Sequence, residues 1–440
     1  MAVSETTESA ASIFTVGNYA PVTDELTAFD LPVDGAIPPE LAGWYLRNGP
    51  NPRTATGHWF TGDGMIHGVR IENGRAAWYR NRWVRTDSFI SDFPLYNEDG
   101  TRNLRASVAN THVVNHAGKT LALVESSLPY EITNELETVG AYDFGGRLVD
   151  SMTAHPKICP TTGEMHFFGY GNISAPHVTY HRVDADGTLT INRGIDVPAL
   201  TMMHDFALTP NYAVFLDLPI VFDLGAAMDG EMPFVWDDDY GARFGLLRRD
   251  DPFGQVRWVD IDPCYVFHVA NAHETSSGSL VLQAVRYPEL WRRGGGSDAE
   301  GVLWTWTVDP ITGAVSEGQL DDRAVEFPRI DDRLATRAAR YVMSVGNRSW
   351  VRHDLVTGDA VEHRFPASGP GNPGEAVFVP CNDGPADESS GWYLGYVYDA
   401  DRDGSDLVIL DASDVAADPV ATVHLPQRVP YGFHGNWIAD

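Results

Sequence analysis

One turn recurs along this chain and limits what it can fold into. Pro160-Thr161-Thr162-Gly163, Asp309-Pro310-Ile311-Thr312-Gly313 and Asp354-Leu355-Val356-Thr357-Gly358 each follow one strand-like run and precede another. Glycine supplies the positive φ that a tight hairpin needs, and Asp and Pro favour such turns. The runs are β-branched or aromatic-rich: Thr120–Glu125, Met165–Tyr170, Ala213–Leu218, Leu280–Val285, Val302–Val308 and Trp392–Tyr398. Their composition and turn-bounded length predict strands. Helical periodicity is confined to Leu334–Tyr341 and the stretch Leu224–Asp229. Hairpins repeated without alternating helices predict an all-β chain, a propeller rather than a βαβ fold.

Composition sets outer limits. A chain of 440 residues that is 43% hydrophobic can build a full core, and 42 Gly with 28 Pro cut that core into short pieces. No low-complexity linker divides it, so residues 21–440 read as one domain behind a loose Ser/Thr/Ala-rich arm at 1–20. With 61 acidic and 31 basic residues the formal charge is −30, which repels phosphate backbones and excludes nucleic acid as an expected partner. Cys159, Cys264 and Cys381 form no CxxC pair, which leaves neither a zinc ribbon nor a disulfide framework. Without a secretory leader or a long apolar run, a cytoplasmic protein with no transmembrane segment is expected.

Four of the fifteen histidines stand in apolar or small-residue settings: His155 in Thr-Ala-His-Pro-Lys, His204 in Met-Met-His-Asp-Phe-Ala, His268 in Phe-His-Val-Ala-Asn-Ala and His434 in Gly-Phe-His-Gly-Asn-Trp. Their wide spacing excludes a helical i, i+4 zinc motif. In a propeller, distant segments meet near the axis, so an axial metal site needs such spacing. A hydrogen-bonded core role is the competing reading for each histidine taken alone.

Several motifs in order make the chain resemble the carotenoid cleavage oxygenases. They are Tyr45-Leu46-Arg47-Asn48-Gly49-Pro50-Asn51-Pro52, His58-Trp59-Phe60-Thr61-Gly62-Asp63-Gly64-Met65, Asn110-Thr111-His112, the four His segments, Gly374-Glu375-Ala376 and Arg428-Val429-Pro430-Tyr431-Gly432-Phe433-His434-Gly435. The resemblance implies a seven-bladed β-propeller, with loops and short helices capping an axial Fe(2+) held by His155, His204, His268 and His434. His273 is the nearest rival to His268 but fits its motif less well. The resemblance also implies that Glu125, Glu326 and Glu375 brace the histidines from outside. A ligating imidazole presents one neutral nitrogen to the metal, and its other N–H wants an acceptor that fixes the ring. Structural salt bridges are the alternative for Glu125 and Glu375, and a pair with Arg329 is the alternative for Glu326.

The implied reaction is O2-dependent scission of a conjugated C=C bond into two carbonyl products. Zinc would close a tetrahedron with these ligands and could not activate O2 by electron transfer, so iron is the sensible metal. Phe60, Trp83, Val124 and Phe206 are candidates to line a tunnel for a flat conjugated substrate. Relatives of the lignostilbene kind place a Lys before the first bracing Glu to engage a phenol. Here that residue is Val124, and Tyr96 is only a candidate for the tyrosine that assists it. An apocarotenoid-like substrate is therefore expected, with a stilbenoid or phenylpropenoid as the alternative. The charged stretches Asp237-Asp238-Asp239 and Arg248-Arg249-Asp250-Asp251 point the other way, to a smaller soluble substrate. A non-catalytic propeller binding module and an isomerase remain as readings of another class.

Overall fold

The computed structural model describes residues 16–54, 59–91, 93–98, 101–125, 127–229, 232–292, 299–366, 370–382, 384 and 386–440. Seven antiparallel sheets stand around one axis as the blades of a propeller. Blades 2 to 6 each hold four strands in sequence order. Their innermost strands are His112–His116, Lys157–Ile158, Phe206–Leu208, Val269–Glu274 and Glu326–Arg329. Blade 4 carries an excursion, the two-stranded sheet Ile220–Phe222 with Phe234–Trp236, joined by the helix Leu224–Asp229. Blades 1 and 7 are composite. In blade 1 the C-terminal strand Gly435–Ala439 lies inside Gly43–Pro50, and Thr27–Phe29 forms the outer edge. In blade 7 the N-terminal strand Val33–Gly35 pairs with Ala421–His424, and Val377–Pro380 lies on the axial side. Both ends of the chain therefore close the ring, and the inner strands of blades 7, 1 and 2 adjoin one another.

Blades stack face to face, so strands near the axis are covered on both sides and need no alternation. Met165–Tyr170 is buried at all six positions. The outer strand Leu189–Ile195 alternates between buried and more exposed residues, as a half-solvated strand should. The large wedges lie between blades: Trp306 of blade 5 is fully buried edge-on to Phe244 of blade 4, their rings 5.7 Å apart.

The three recurrent turns share one geometry. Gly163, Gly313 and Gly358 have φ of 71°, 81° and 77°, and each N–H donates to the carbonyl four residues back at 2.8 Å. Asp309 and Asp354 also accept backbone N–H groups from the two residues that lie two and three positions on. The first turn joins strands one and two of blade 3; the others join strands three and four of blades 5 and 6.

Two expectations need correction. The helix expected over Leu334–Tyr341 is a single 3-10 turn, Asp332–Leu334, and Tyr341 already opens the strand Tyr341–Gly346. Thr336 at φ 70° takes the left-handed conformation, which no right-handed helix propagates through. Of the arm expected at 1–20, positions 1–15 lie outside the described residues, as does His58. The rest is tied down: Gly17–Tyr19 forms a 3-10 turn, Asn18 accepts from the Tyr431 N–H at 2.8 Å, and Tyr19 packs on Trp59 and Tyr431. No described helix is long and apolar enough to cross a membrane.

Trp306→Ala should destabilise the ring by about 3–5 kcal/mol, the usual loss for a fully buried Trp. Denaturant unfolding should show it; a change below about 1 kcal/mol would mean that the blades are not wedged by such side chains.

Candidate metal centre and substrate cavity

Four histidines each lead into an innermost strand. His155 precedes Lys157–Ile158, His204 precedes Phe206–Leu208, His268 precedes Val269–Glu274 and His434 precedes Gly435–Ala439, in blades 3, 4, 5 and 1. Where the chain turns into an inner strand it stands at the axis, so residues far apart in sequence converge. One nitrogen from each lies within 4.8 Å of the other three. Nε2 of His204 is 3.0 Å from Nε2 of His155 and 3.3 Å from Nε2 of His268. His273 lies within the strand Val269–Glu274 and outside this group.

Carboxylates occupy the corresponding positions of the next two blades. Glu326 opens Glu326–Arg329 in blade 6, and Glu375 stands two residues before Val377–Pro380 in blade 7. Glu125 follows the second strand of blade 2, Lys119–Leu123. Each faces one imidazole: Glu125 pairs with His204 Nδ1, Glu326 Oε2 lies 2.5 Å from His268 Nδ1, and Glu375 Oε1 lies 3.0 Å from His434 Nδ1. His155 has no carboxylate partner among the described residues.

These contacts fix tautomers. A carboxylate only accepts, so each paired Nδ1 carries the proton and each Nε2 presents a lone pair. When both rings are neutral, His204 and His268 hold two lone pairs 3.3 Å apart, which a proton or a metal cation between them relieves. Burial pushes His155 and His434 well below the usual imidazole range, and neighbouring imidazoles add to it, so both are neutral. His268 behaves differently. Burial alone would lower it, but the charge and hydrogen bond of Glu326 outweigh that and raise it. Four converging imidazole nitrogens, three of them on rings whose Nδ1 is held by a carboxylate, suit a divalent transition metal once His268 has shed its extra proton.

Sequence reasoning missed what holds the glutamates. The Tyr170 hydroxyl donates to Glu125 Oε2 at 2.5 Å, and the Tyr287 hydroxyl donates to Glu326 Oε1 at 3.0 Å. Glu375 instead accepts from the Gly435 N–H at 2.8 Å and from Arg329 at 3.1 Å. Arg329 therefore pairs with Glu375, and with Asp332 at 3.2 Å, rather than with its near neighbour Glu326. No local spacing marks these partners: Tyr170 is 45 residues from Glu125, and Tyr287 is 39 from Glu326. A fifth imidazole, His112, packs beside His434 with ring centroids 5.1 Å apart. Its Nδ1 donates to the Ala154 carbonyl at 2.9 Å, and burial pushes it down to about 3.

Two cavities border the cluster. One, of about 350 Å³, follows the inner strands and is lined by polar groups that include His112, Lys157, Asp205 and Arg329. The other, of about 400 Å³, is mainly apolar, with Trp59, Phe60, Met202, Phe267, Phe327 and Phe433 on its walls. Phe60 and Val124 line it, as expected. Trp83 and Phe206 do not. Phe206 is fully buried in the propeller core, stacked on Phe215, and Trp83 donates its indole N–H to the Asn51 carbonyl at 3.0 Å. Tyr96 is also absent from the walls; its hydroxyl reaches the Gly171 carbonyl at 3.4 Å. The charged stretch Arg248-Arg249-Asp250-Asp251 is not all solvent-facing. Arg249 is buried and bonded to the Thr209 carbonyl and Glu164, while Leu224 and Met228 on the helix Leu224–Asp229 are exposed.

Fold and cluster together define a propeller oxygenase. The family model described as Retinal pigment epithelial membrane protein matches residues 19–439. A carotenoid cleavage oxygenase of Mycobacterium tuberculosis is 40% identical, over 96% of each chain. Among solved structures, a variant of the Synechocystis apocarotenoid oxygenase superposes with a TM-score of 0.85 at 28% identity, covering 96% of this chain and 98% of that one. The lignostilbene dioxygenase of Pseudomonas brassicacearum gives 0.88 at 27% identity, covering 98% and 99%. The chain belongs to the carotenoid cleavage oxygenase family. It is an oxidoreductase, a dioxygenase that cleaves a carbon–carbon double bond, which sets aside the binding-module alternative.

Two of the glutamates should respond unequally to neutralisation. Glu375→Gln leaves the Arg329 cation without its buried partner and should destabilise the metal-free protein by about 3–5 kcal/mol. Glu326→Gln, held by the Tyr287 hydroxyl and the Phe327 N–H, should lose about 1–2 kcal/mol. Thermal unfolding of both variants checks the order; equal losses would contradict the Arg329 pairing.

Proposed function

We propose that His155, His204, His268 and His434 together hold one iron(II) ion, braced by Glu125, Glu326 and Glu375, and that the substrate is an apocarotenoid-like polyene. The observation that carries the metal is the convergence of one nitrogen from each of the four histidines within 4.8 Å, with a glutamate on Nδ1 of three of them. Four neutral imidazoles would leave two positions of an octahedral ion open, and iron(II) there supplies the one-electron chemistry that O2 needs.

The protein's share is positional. Glu125, Glu326 and Glu375 offset the ion's charge through the imidazoles without taking coordination sites. Tyr170, Tyr287 and Arg329 hold those carboxylates in place. The aromatic walls Trp59, Phe60, Phe267 and Phe433 present flat faces to a conjugated chain and keep water from the cluster. Val124 lies on the wall beside Glu125 and offers no ammonium to a phenol, which favours a polyene over a hydroxystilbene. The whole-chain likeness to a lignostilbene dioxygenase keeps a stilbenoid or phenylpropenoid as the second reading.

Replacing any one of the four histidines by Ala should lower iron content in elemental analysis and abolish turnover, while His273→Ala keeps both. A fully loaded, active His434→Ala protein would contradict the assignment. Metal uptake must displace the proton that Glu326 stabilises on His268. Uptake should therefore weaken as pH falls through a value above the ordinary imidazole range. Glu326→Gln removes the raising influence, so that midpoint should move to lower pH; an unmoved midpoint would show that His268 is not the limiting ligand.

Products of an apocarotenal and of a 4-hydroxystilbene, read by mass spectrometry, test the substrate. Two carbonyl fragments from the first support the polyene reading. Val124→Lys should depress that turnover by about tenfold or more, because it sets a charge against an apolar chain. Cleavage of the hydroxystilbene alone would reverse the ranking.

A further inference from the structure

A blade's innermost strand has no neighbour on its axial side, so N–H groups on that side need acceptors from elsewhere. At the start of two such strands one carboxylate is that acceptor. Asp205 stands between His204 and the strand Phe206–Leu208. Its Oδ1 accepts from the Phe206 N–H at 2.7 Å. Its Oδ2 accepts from the Val269 N–H at 2.8 Å, across the boundary from blade 4 to blade 5. From blade 3, on the other side, the Lys157 ammonium lies 2.8 Å from Oδ1 and 3.0 Å from Oδ2. The Asp205 side chain is buried, and so these bonds are shielded from water. Val269 follows His268 directly, and Lys157 lies two residues after His155. One buried side chain therefore ties together the three inner strands that follow His155, His204 and His268.

We propose that Asp205 and Lys157 are positioning residues for the metal centre, with the Asp205 carboxylate fixing the spacing of three of the four histidines. The inference rests on the four-histidine reading above and deepens it. Glu125, Glu326 and Glu375 act on imidazole rings, whereas Asp205 acts on the backbone that carries those rings. His155 depends on this most, because no carboxylate among the described residues holds its ring. An ionised carboxylate only accepts, so its two oxygens can take two N–H groups and an ammonium together; an amide has one accepting oxygen and cannot. Ligands must be held close to their productive geometry for a metal to bind well, and the groups behind them set that geometry. A buried ion pair adds little stability over an apolar substitute, so a geometric role accounts better for this one. Neither residue takes part in the chemistry.

The test uses cobalt(II) as the probe metal on the full chain. Affinity is read by competition with a chelating dye, coordination geometry by the d–d absorption bands, and stability by thermal unfolding of the metal-free protein. Asp205→Asn should weaken cobalt binding by about 10–100-fold and change the d–d bands. Lys157→Met keeps both backbone bonds and frees only the strand after His155, so it should weaken binding by a smaller factor and alter the same bands. The double variant separates geometry from charge, because it leaves no stranded ammonium. It should regain thermal stability over Asp205→Asn while binding cobalt no better. Asp217→Asn breaks another buried pair of blade 4, with Arg243, and should lower the Tm without moving the cobalt spectrum. Recovery of cobalt affinity in the double variant would make the pair a structural ion pair only and overturn the proposal. An unchanged spectrum in Lys157→Met would overturn the hold on His155, even if Asp205→Asn does not fold. Cobalt bound equally by wild type and His434→Ala would sink the four-histidine site itself. Cobalt bound at the histidines equally by wild type and Asp205→Asn would sink the role of Asp205 alone.

Discussion

Seven sheets can close a ring only if every blade sends one strand to the axis, and the rest of this structure depends on that convergence. The residue that leads each inner strand is forced to the centre whatever its distance in sequence. In blades 3, 4, 5 and 1 that residue is histidine, and in blades 6 and 7 the leading positions carry glutamate. Closing the ring also completes the cluster, since His434 reaches the axis only because Gly435–Ala439 forms the innermost strand of blade 1. Stability and site formation are therefore one event.

Buried imidazoles gathered at one point would repel or protonate unless their surroundings chose a tautomer for them. The glutamates make that choice, and tyrosine or arginine groups make it for the glutamates. The three relays differ in charge. Glu125 accepts from the Tyr170 hydroxyl, and Glu326 from the Tyr287 hydroxyl and the Phe327 N–H. Glu375 shares its charge between His434 and Arg329. His268 and His434 differ accordingly: Glu326 raises the proton affinity of the first, whereas burial, with the neighbouring imidazoles and Arg329 adding to it, lowers that of the second.

The turns and strands were legible in the sequence because they are local. A glycine at positive φ after Asp and Thr specifies its own hairpin, and a run such as Met165–Tyr170 specifies its own strand. The helix Leu224–Asp229 could be read from its residues; the break at Leu334–Tyr341 could not, since Thr336 is left-handed and donates its N–H to Asn271 Oδ1, a partner 65 residues away. The four histidines were legible through their motif contexts, and periodicity would never have joined them. Tyr170, Tyr287 and the Arg329–Glu375 pair escaped because their partners arrive from other blades. Phe206 and Trp83 were misplaced because nearness in sequence to a ligand or a motif does not set which way a side chain faces: Phe206 turns into the core, stacked on Phe215, and Trp83 donates its indole N–H to the Asn51 carbonyl.

The central claim is that the axis presents four neutral imidazoles, and no carboxylate, to one iron ion. X-ray absorption of the iron-loaded protein without substrate tests it most directly. The predicted spectrum shows the multiple scattering of four imidazoles, with metal–nitrogen distances of roughly 2.1 Å and any further ligands from light atoms. A spectrum that fits two imidazoles with a chelating carboxylate would place a glutamate on the metal and contradict the account.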